Sequence, residues 1–182
     1  LVLIIYRNFW MNIILKSAKI IDPTSSFHSK TLDIHIRKGI INNISKNISA
    51  PKATIISHQN LYVSPGWFDS SVSFGEPGYE ERETLSHGLR VAAASGFTHI
   101  GYNTNTNPLP ISKVDISFLL RSAADSPTSL HPKAHITVQD NSQQLAELHD
   151  LSAAGAVSFS NHKKSIDNPH LLLLALKCTR GF

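Results

Sequence analysis

The sequence is poor in the residues that mark secreted, membrane-spanning and nucleic-acid-binding proteins. Its 182 residues include one cysteine, Cys178, which excludes an internal disulfide framework and favours a reducing, cytoplasmic location. The apolar runs at 1–5 and 171–176 are far shorter than the ~20 residues that span a bilayer. The net charge is +4, but no basic stripe alternates with aromatic residues. Neither a membrane nor nucleic acid is therefore expected as a partner.

The first residues do not fit the pattern of the rest of the chain. The only methionine is Met11, and a clean strand pattern begins directly after it. Residues 1–10 lack both the length and the small-residue cleavage pattern of a signal peptide. We therefore expect residues 1–11 to be a non-native or disordered extension. A genuine short extension is the alternative.

From residue 12 to 61 the sequence is rich in isoleucine and has few helix signals. Short apolar segments are separated by turn signals such as Asp22-Pro23 and Lys38-Gly39. Leu32–Ile36 alternates apolar and polar residues, which is typical of a strand with one buried face. The pattern predicts a small antiparallel β-module over 12–61, with strands at 13–15, 18–21, 32–36, 40–44 and 53–56.

The pattern changes after Pro65-Gly66, where strand and helix signals alternate four times. Gly96 and Gly155 end two of the helices, and Asn168-Pro169 opens the last one. The predicted strands include Val72 and Phe74 and cover 98–102, 134–138 and 156–160; the predicted helices cover 84–95, 114–124, 143–154 and 168–176. This alternation predicts parallel βα units over residues 62–182. Four units form either half of an eight-stranded barrel or a small open sheet, and periodicity does not separate these two.

The second region also carries a set of ordered motifs. They are Pro65-Gly66-Trp67-Phe68-Asp69, Glu76-Pro77-Gly78, Asn105-Thr106-Asn107-Pro108 and the strand signal at 154–160. In this order they resemble the dihydroorotase family of the amidohydrolase superfamily, and the resemblance extends from Met11 to about Lys177. It implies an α/β fold class, with a partial TIM-type (β/α) barrel preceded by an amidohydrolase-type β-module, and a role in pyrimidine biosynthesis.

The resemblance breaks down at the metal ligands. Dihydroorotases use zinc to activate water against a cyclic amide, and the family pattern has two histidines at i and i+2 on the first barrel strand. The matching positions here are Ser71 and Ser73, and Asn161 lies where the family has an acidic or carboxylated-lysine ligand. Neutral hydroxyl and amide groups bind zinc poorly, so we expect no metal cofactor and no catalytic residue. Gly75 replaces the family's arginine, which would pair with a substrate carboxylate.

One substrate-binding position is retained. Asn105 matches the family's substrate-binding asparagine, and its amide would donate to a carboxylate ligand. The alternative is that Asn105 only closes its own loop. His162 would offer a single metal ligand, which makes no site. Lys163 and Lys164 lie past the fourth strand, which argues against a carboxylated lysine.

Three functions remain open from the sequence. The chain stops after the predicted fourth helix, whereas the family's remaining metal ligands and its catalytic aspartate lie on strands five to eight. The leading hypothesis is a non-catalytic dihydroorotase-like polypeptide, partnered by aspartate transcarbamoylase or by a second copy of itself. The alternatives are a fragment of an active dihydroorotase or cyclic amidohydrolase, and a scaffold or carboxylate-binding module. Because half a barrel has two unpaired edges, we expect poor solubility for the chain alone.

Overall fold

The computed structural model describes residues 11–140 and 143–181, which form two compact units divided between Gly66 and Trp67. The first unit consists of strands, and the second combines strands with helices. The division lies somewhat beyond the boundary expected between residues 61 and 62. Apart from Met11, the extension expected at 1–11 lies outside the described residues.

The first unit is a single five-stranded sheet built around its first strand. Its strands are β1 (Asn12–Ile20), β2 (Thr31–Arg37), β3 (Ile40–Ser45), β4 (Thr54–Ile56) and β5 (Tyr62–Val63). β2 pairs antiparallel with both β1 and β3, whereas β4 and β5 pair parallel with β1. The antiparallel module is confirmed for the three longest strands, and the parallel pairing of the two short ones was not predicted. An irregularity between Leu15 and Ala18 joins two predicted strands into β1.

The second unit alternates strands with helices. Its elements are β6 (Trp67–Val72), α1 (Leu85–Ala94), β7 (Phe97–Tyr102), α2 (Lys113–Ser122), β8 (Ser129–Ala134), α3 (Leu148–Ala153), β9 (Ser158–Phe159) and α4 (Pro169–Thr179). The four strands are parallel and lie in chain order, β6-β7-β8-β9. Thr84, Ser112 and Asn168 cap α1, α2 and α4 by accepting backbone N–H groups. The predicted βα units are therefore present.

The two faces of the parallel sheet differ in polarity. Ile100, Tyr102 and Leu130 face the helices, where they form a buried cluster with Leu85, Leu89, Leu119 and Ala123. His99 and Gly101 on β7, and His131 and Lys133 on β8, instead line a cleft on the other face. The apolar core of this unit thus lies between sheet and helices, and polar groups lie on the inner face. None of the described helices has the length and apolar character needed to cross a bilayer.

The third barrel strand and its helix differ from the prediction. The strand expected at 134–138 is wrong, because β8 covers Ser129–Ala134 and includes Pro132. Pro132 lacks an N–H, but its carbonyl accepts from the Val157 amide where pairing with β9 begins. Residues 136–138 instead bond to 144–146, with 2.9 Å between Ala146 N and Ile136 O. The helix expected at 143–154 therefore begins only at Leu148, and the strand expected at 156–160 shortens to Ser158–Phe159.

A buried carboxylate joins three segments of the first unit. Asp33 is 5% exposed; its Oδ1 accepts from Ser17 N at 2.9 Å, and its Oδ2 accepts from Ile48 N at 2.9 Å and Lys16 Nζ at 2.7 Å. Burial alone raises the pKa of Asp33, but the Lys16 ammonium and the two amides outweigh it and hold that pKa below its ordinary value of 3.8. β1, β2 and the segment after β3 are therefore linked through one side chain.

Replacing Asp33 with alanine is expected to destabilise the protein. The Asp33→Ala variant should lose about 3 kcal/mol of unfolding free energy near pH 7, since two amides and an ammonium lose their acceptor. Because the pKa of Asp33 is lowered on folding, this contribution is complete above about pH 4 and is lost as the pH falls further. Urea unfolding at pH 7 and pH 3 measures both effects. Asp22→Asn, in the turn closed by Ser25 N and Asp22 O, is the control and should change stability by less than about 1 kcal/mol.

Candidate functional site

Polar side chains from three strands meet at the carboxyl ends of β6, β7 and β8. Asn103 follows β7 and is 5% exposed; its Nδ2 donates to Ser71 Oγ at 3.2 Å and to Ser73 Oγ at 3.0 Å. Lys133 Nζ donates to Asn103 Oδ1 at 2.9 Å, and Ser73 Oγ donates to Asn105 Oδ1 at 2.8 Å. We call these five residues the strand-end network. Ser71 and Ser73 share one face, as their spacing predicts.

A bulge in β6 brings the serines to this face. The pairing register of β6 with β7 shifts between Asp69 and Val72, and these two residues line a pocket on the α1 side of the sheet. Ser70 and Ser71 both line the cleft on the opposite, inner face. Opposite the bulge, a Cβ on Gly101 would lie 2.7 Å from Ser70 O. Glycine at 101 therefore allows β6 and β7 to approach each other at the bulge.

The strand-end network borders a cleft of about 620 Å³ on the inner face of the sheet. This volume lies within the range of ligand pockets, roughly 300–1,000 Å³. Its lining includes Phe68, Ser71, His99, His131, Lys133 and Ser158. Among the described residues that line it there is no carboxylate, so the one fixed charge on the cleft wall is the positive charge of Lys133.

Two histidines are paired on the wall of the cleft. His99 Nδ1 lies 3.0 Å from His131 Nε2, and the two rings stack with centroids 5.2 Å apart. Phe68 contacts His131 edge-on, with 6.4 Å between the ring centroids. Burial lowers the pKa of His131, and His99 lowers it further by charge repulsion. The contact needs one donor and one acceptor nitrogen, so it is lost when both rings are protonated.

The loop after β6 is shaped around a glycine. Gly75 has φ +136°, and a Cβ there would overlap the carbonyl oxygen of Tyr79. Glu76 Oε2 accepts from Leu85 N at 2.6 Å at the start of α1, and Tyr102 Oη donates to Glu76 O at 2.6 Å. This loop conformation has no room for a side chain at 75, where the family pattern has arginine.

Asn161 does not reach the strand-end network. It is buried, its Oδ1 accepts from Ile136 N at 3.0 Å, and its Nδ2 donates to Thr137 Oγ1 at 2.9 Å. Its side chain therefore holds the segment after β8. Burial lowers the pKa of the neighbouring His162, and the positive charges of Lys163 and Lys133 lower it further.

The comparisons with known proteins agree with the fold of the second unit. Residues 61–179 match the family model described as Dihydro-orotase-like. This chain belongs to the dihydroorotase-like family. It is 32% identical over 173 residues to the dihydroorotase of Solibacter usitatus and 33% identical over 173 residues to that of Geotalea daltonii. Each alignment covers 94% of this chain and 40% of the relative, so the chain spans about 40% of the length of these curated relatives.

Solved structures confirm the predicted fold class. The L-hydantoinase of Arthrobacter aurescens has a TM-score of 0.64 at 21% identity, covering 82% of this chain and 32% of that protein. A crystal structure of a dihydroorotase has a TM-score of 0.54 at 15% identity, covering 82% of this chain and 42% of that protein. At these identities the likeness supports the fold alone, which is part of an amidohydrolase (β/α) barrel.

The cleft of this dihydroorotase-like chain does not fit the zinc of the family. Ser71 and Ser73 offer neutral hydroxyls, and the oxygen of Asn103 already accepts from the Lys133 ammonium. In the described part of the chain, no three His, Cys, Asp or Glu side chains are grouped so that they would hold a metal ion. A cation on the cleft wall also repels a divalent ion.

Sequence reasoning missed Asn103, Lys133 and the histidine pair. Asn103 precedes the motif at Asn105, and only the buried side-chain bonds reveal its role. Lys133 and His131 were hidden because the third strand was predicted too late in the chain. The signal in the sequence was the alternation of polar and apolar residue types over 129–134, which would have placed His131 and Lys133 on one face.

The histidine pair predicts a loss of stability in mild acid. Because the pKa of His131 is lowered on folding, the unfolded chain binds more protons below about pH 6.5. The unfolding free energy should therefore fall as the pH decreases from 7.5 to 5.5, with His162 contributing in the same direction. Urea midpoints at these two pH values measure the fall. His131→Gln should reduce the fall, and His58→Gln, an exposed site in the other unit, should leave it unchanged; an equal fall in wild type and His131→Gln would contradict the interpretation.

Proposed function

We propose that this chain acts in the cytoplasm as a non-hydrolytic dihydroorotase-like protein and serves as a structural partner in pyrimidine biosynthesis. The observation that carries the proposal is the strand-end network. The two positions of the family's paired histidines are serines that accept from Asn103, and the same amide binds the ammonium of Lys133. A site that activates water through zinc needs anionic or imidazole ligands, and this arrangement offers hydroxyls and a cation instead.

The rival proposal is hydrolysis by a longer protein that takes its metal ligands from other strands. In such a protein Lys133 would still lie at the carboxyl end of β8, beside the positions of the first-strand ligands. The metal would then be bound next to a fixed positive charge, with two ligands of the family pattern missing. The extra positive charge and the missing ligands both favour the non-hydrolytic proposal.

A zinc and turnover measurement separates the two proposals. The purified protein, and any longer product that contains it, should hold no stoichiometric zinc by elemental analysis. It should also form no carbamoyl aspartate from dihydroorotate. The dihydroorotase of Geotalea daltonii, assayed in parallel, is the positive control. Stoichiometric zinc together with turnover that a chelator abolishes would contradict the non-hydrolytic proposal.

The exposed apolar surface supports a partner role. β6 and β9 are the end strands of the four-stranded path, so each has one edge without a strand partner among the described residues. On α4, Leu172, Leu173, Leu174 and Leu176 are all exposed. Aspartate transcarbamoylase is the partner that the family resemblance implies, and a second copy of this chain is the alternative.

The partner proposal predicts a complex that depends on α4. Sedimentation velocity should show the chain migrating with aspartate transcarbamoylase. The double variant Leu173→Glu/Leu176→Glu should weaken the complex by at least about tenfold, because it places two charges on an apolar contact surface. Val114→Glu replaces an exposed apolar residue on α2 and should have little effect. Self-association without the enzyme would favour the second copy, and a monomer that binds neither would contradict the proposal.

A second candidate function is binding of a carboxylate ligand near Asn105. Ser73 Oγ donates to Asn105 Oδ1, which fixes the amide so that its Nδ2 remains available as a donor. In the described residues, no hydrogen bond uses that Nδ2. Such binding needs no metal and is compatible with a structural role.

A further inference from the structure

A second pocket lies on the helix side of the parallel sheet, between β6 and α1. Its volume is about 220 Å³, and we call it the β6–α1 pocket. Gly88, Ala92 and Ser95 line it from one face of α1, at the three- and four-residue spacing of a helix. Glycine is needed at 88, because a Cβ there would lie 2.5 Å from Cε1 of Phe74. Gly88 therefore lets the Phe74 ring lie against α1 and form part of the pocket wall.

The lining of the β6–α1 pocket is mostly apolar, and its fixed charges are negative. The larger apolar side chains are Val72, Phe74, Val91, Phe97 and Ile100. Asp69 and Glu83 are half-buried carboxylates, and no Lys, Arg or His is among the described residues that line the pocket. The pocket thus has the opposite charge to the cleft on the inner face, where Lys133 carries the fixed charge.

Asp69 is the carboxylate of this pocket whose one partner is a backbone amide. Its Oδ1 accepts from Ser71 N at 2.9 Å within the bulge of β6. Within residues 11–140 and 143–181, no hydrogen bond reaches its Oδ2, and no Lys, Arg or His forms an ion pair with it. Glu83, in contrast, contacts His87 Nδ1 on α1. A carboxylate beside apolar side chains is incompletely hydrated, so a cation that reaches Asp69 gains a strong interaction at a low desolvation cost.

We propose that the β6–α1 pocket binds a small primary amine with an aromatic body, whose ammonium donates to Asp69 Oδ2 and whose ring lies against the phenylalanine side chains of the pocket. Charge-assisted hydrogen bonds are about twice as strong as neutral ones, and aromatic rings favour contact with one another. The volume is below the roughly 300–1,000 Å³ of pockets for drug-sized ligands, so the ligand is limited to about one ring and a short chain. The inference is independent of the non-hydrolytic proposal, because no member of the strand-end network lines this pocket.

Calorimetry with three matched ligands tests the assignment. The ligands are 2-phenylethylamine, 2-phenylethanol, which has a hydroxyl in place of the ammonium, and n-butylamine, which reproduces a lysine side chain without a ring. We expect 2-phenylethylamine to bind one per chain. The other two should bind at least about tenfold more weakly, because one lacks the charge and the other lacks the ring. Amide chemical shifts should change at residues of the β6–α1 pocket and stay unchanged in the cleft.

Two variants separate the charge from the space in the pocket. Asp69→Asn keeps the acceptor for Ser71 N and should weaken 2-phenylethylamine binding by at least about tenfold, since it removes the charge. Ala92→Leu reduces the free volume and should weaken binding while Asp69 is unchanged. Glu81→Gln removes an exposed carboxylate that does not line the pocket, and this control should leave the affinity unchanged. Circular dichroism confirms that each variant is folded.

The outcomes each bear on one part of the inference. Binding of 2-phenylethylamine that survives Asp69→Asn would overturn the role of Asp69, and equal affinity for 2-phenylethanol would overturn the requirement for a cation. Equal affinity for n-butylamine would reassign the pocket to a lysine side chain of another protein. No binding of any ligand to the wild-type chain, or shifts confined to the cleft, would refute the site altogether.

Discussion

The second unit depends on the buried amide of Asn103, because that side chain joins the carboxyl ends of three parallel strands. A buried amide that lacks hydrogen-bond partners costs about 1–3 kcal/mol per unsatisfied group. Asn103 avoids this cost through Ser71, Ser73 and Lys133, which come from β6, the residue after β6, and β8. The serines that break the family's ligand pattern are thus the acceptors that this amide needs.

In the strand-end network, the ammonium of Lys133 lies near the place where the family pattern has a metal ion. In the family pattern, divalent metal lies near the ends of the first strands and activates water. Here the fixed charge is the ammonium of Lys133, which donates hydrogen bonds but offers no empty orbital to a water molecule. The non-hydrolytic proposal rests on this difference, because an ammonium attracts anions but cannot activate water as a metal ion does. The loop at Gly75 is consistent with it, since its backbone leaves no room for the family's arginine.

Local signals in the sequence were sufficient for much of the fold. Asn168-Pro169 and the glycines after α1 and α3 placed three helix ends, because each is decided by residues within one turn. The third strand failed because Pro132 discouraged a strand over 129–134. Residues 136–138 did look like a strand, but they pair with 144–146 outside the main sheet. The family motifs located Ser71, Ser73 and Asn105 by position.

The strand-end network could not be predicted from short segments of the sequence. The hydrogen bonds of Asn103 join residues about thirty positions apart in the sequence. They also depend on a bulge in β6 that no short motif predicts. Lys133 would have been placed on the inner face only if the register of β8 had been right. Residues alternate along β7 and β8 between the inner face, which carries His99, His131 and Lys133, and the helix side, which carries the buried apolar residues. A strand predicted in the wrong place therefore hides both sets.

The polarity of the two sheet faces also explains why the inner face of the parallel sheet carries a cleft with polar groups. The large buried side chains, such as Ile100, Tyr102 and Leu130, lie between the sheet and its helices. Packing of α1 and α2 on the sheet therefore stabilises these strands from the helix side, and on the inner face Phe68 adds an edge-on contact with His131. That face is free to carry His99, His131 and Lys133, whose burial in a closed apolar core would be costly. A cleft lined by these groups is the consequence of placing the core on the helix side, and among the described residues that line it the one fixed charge is the positive charge of Lys133.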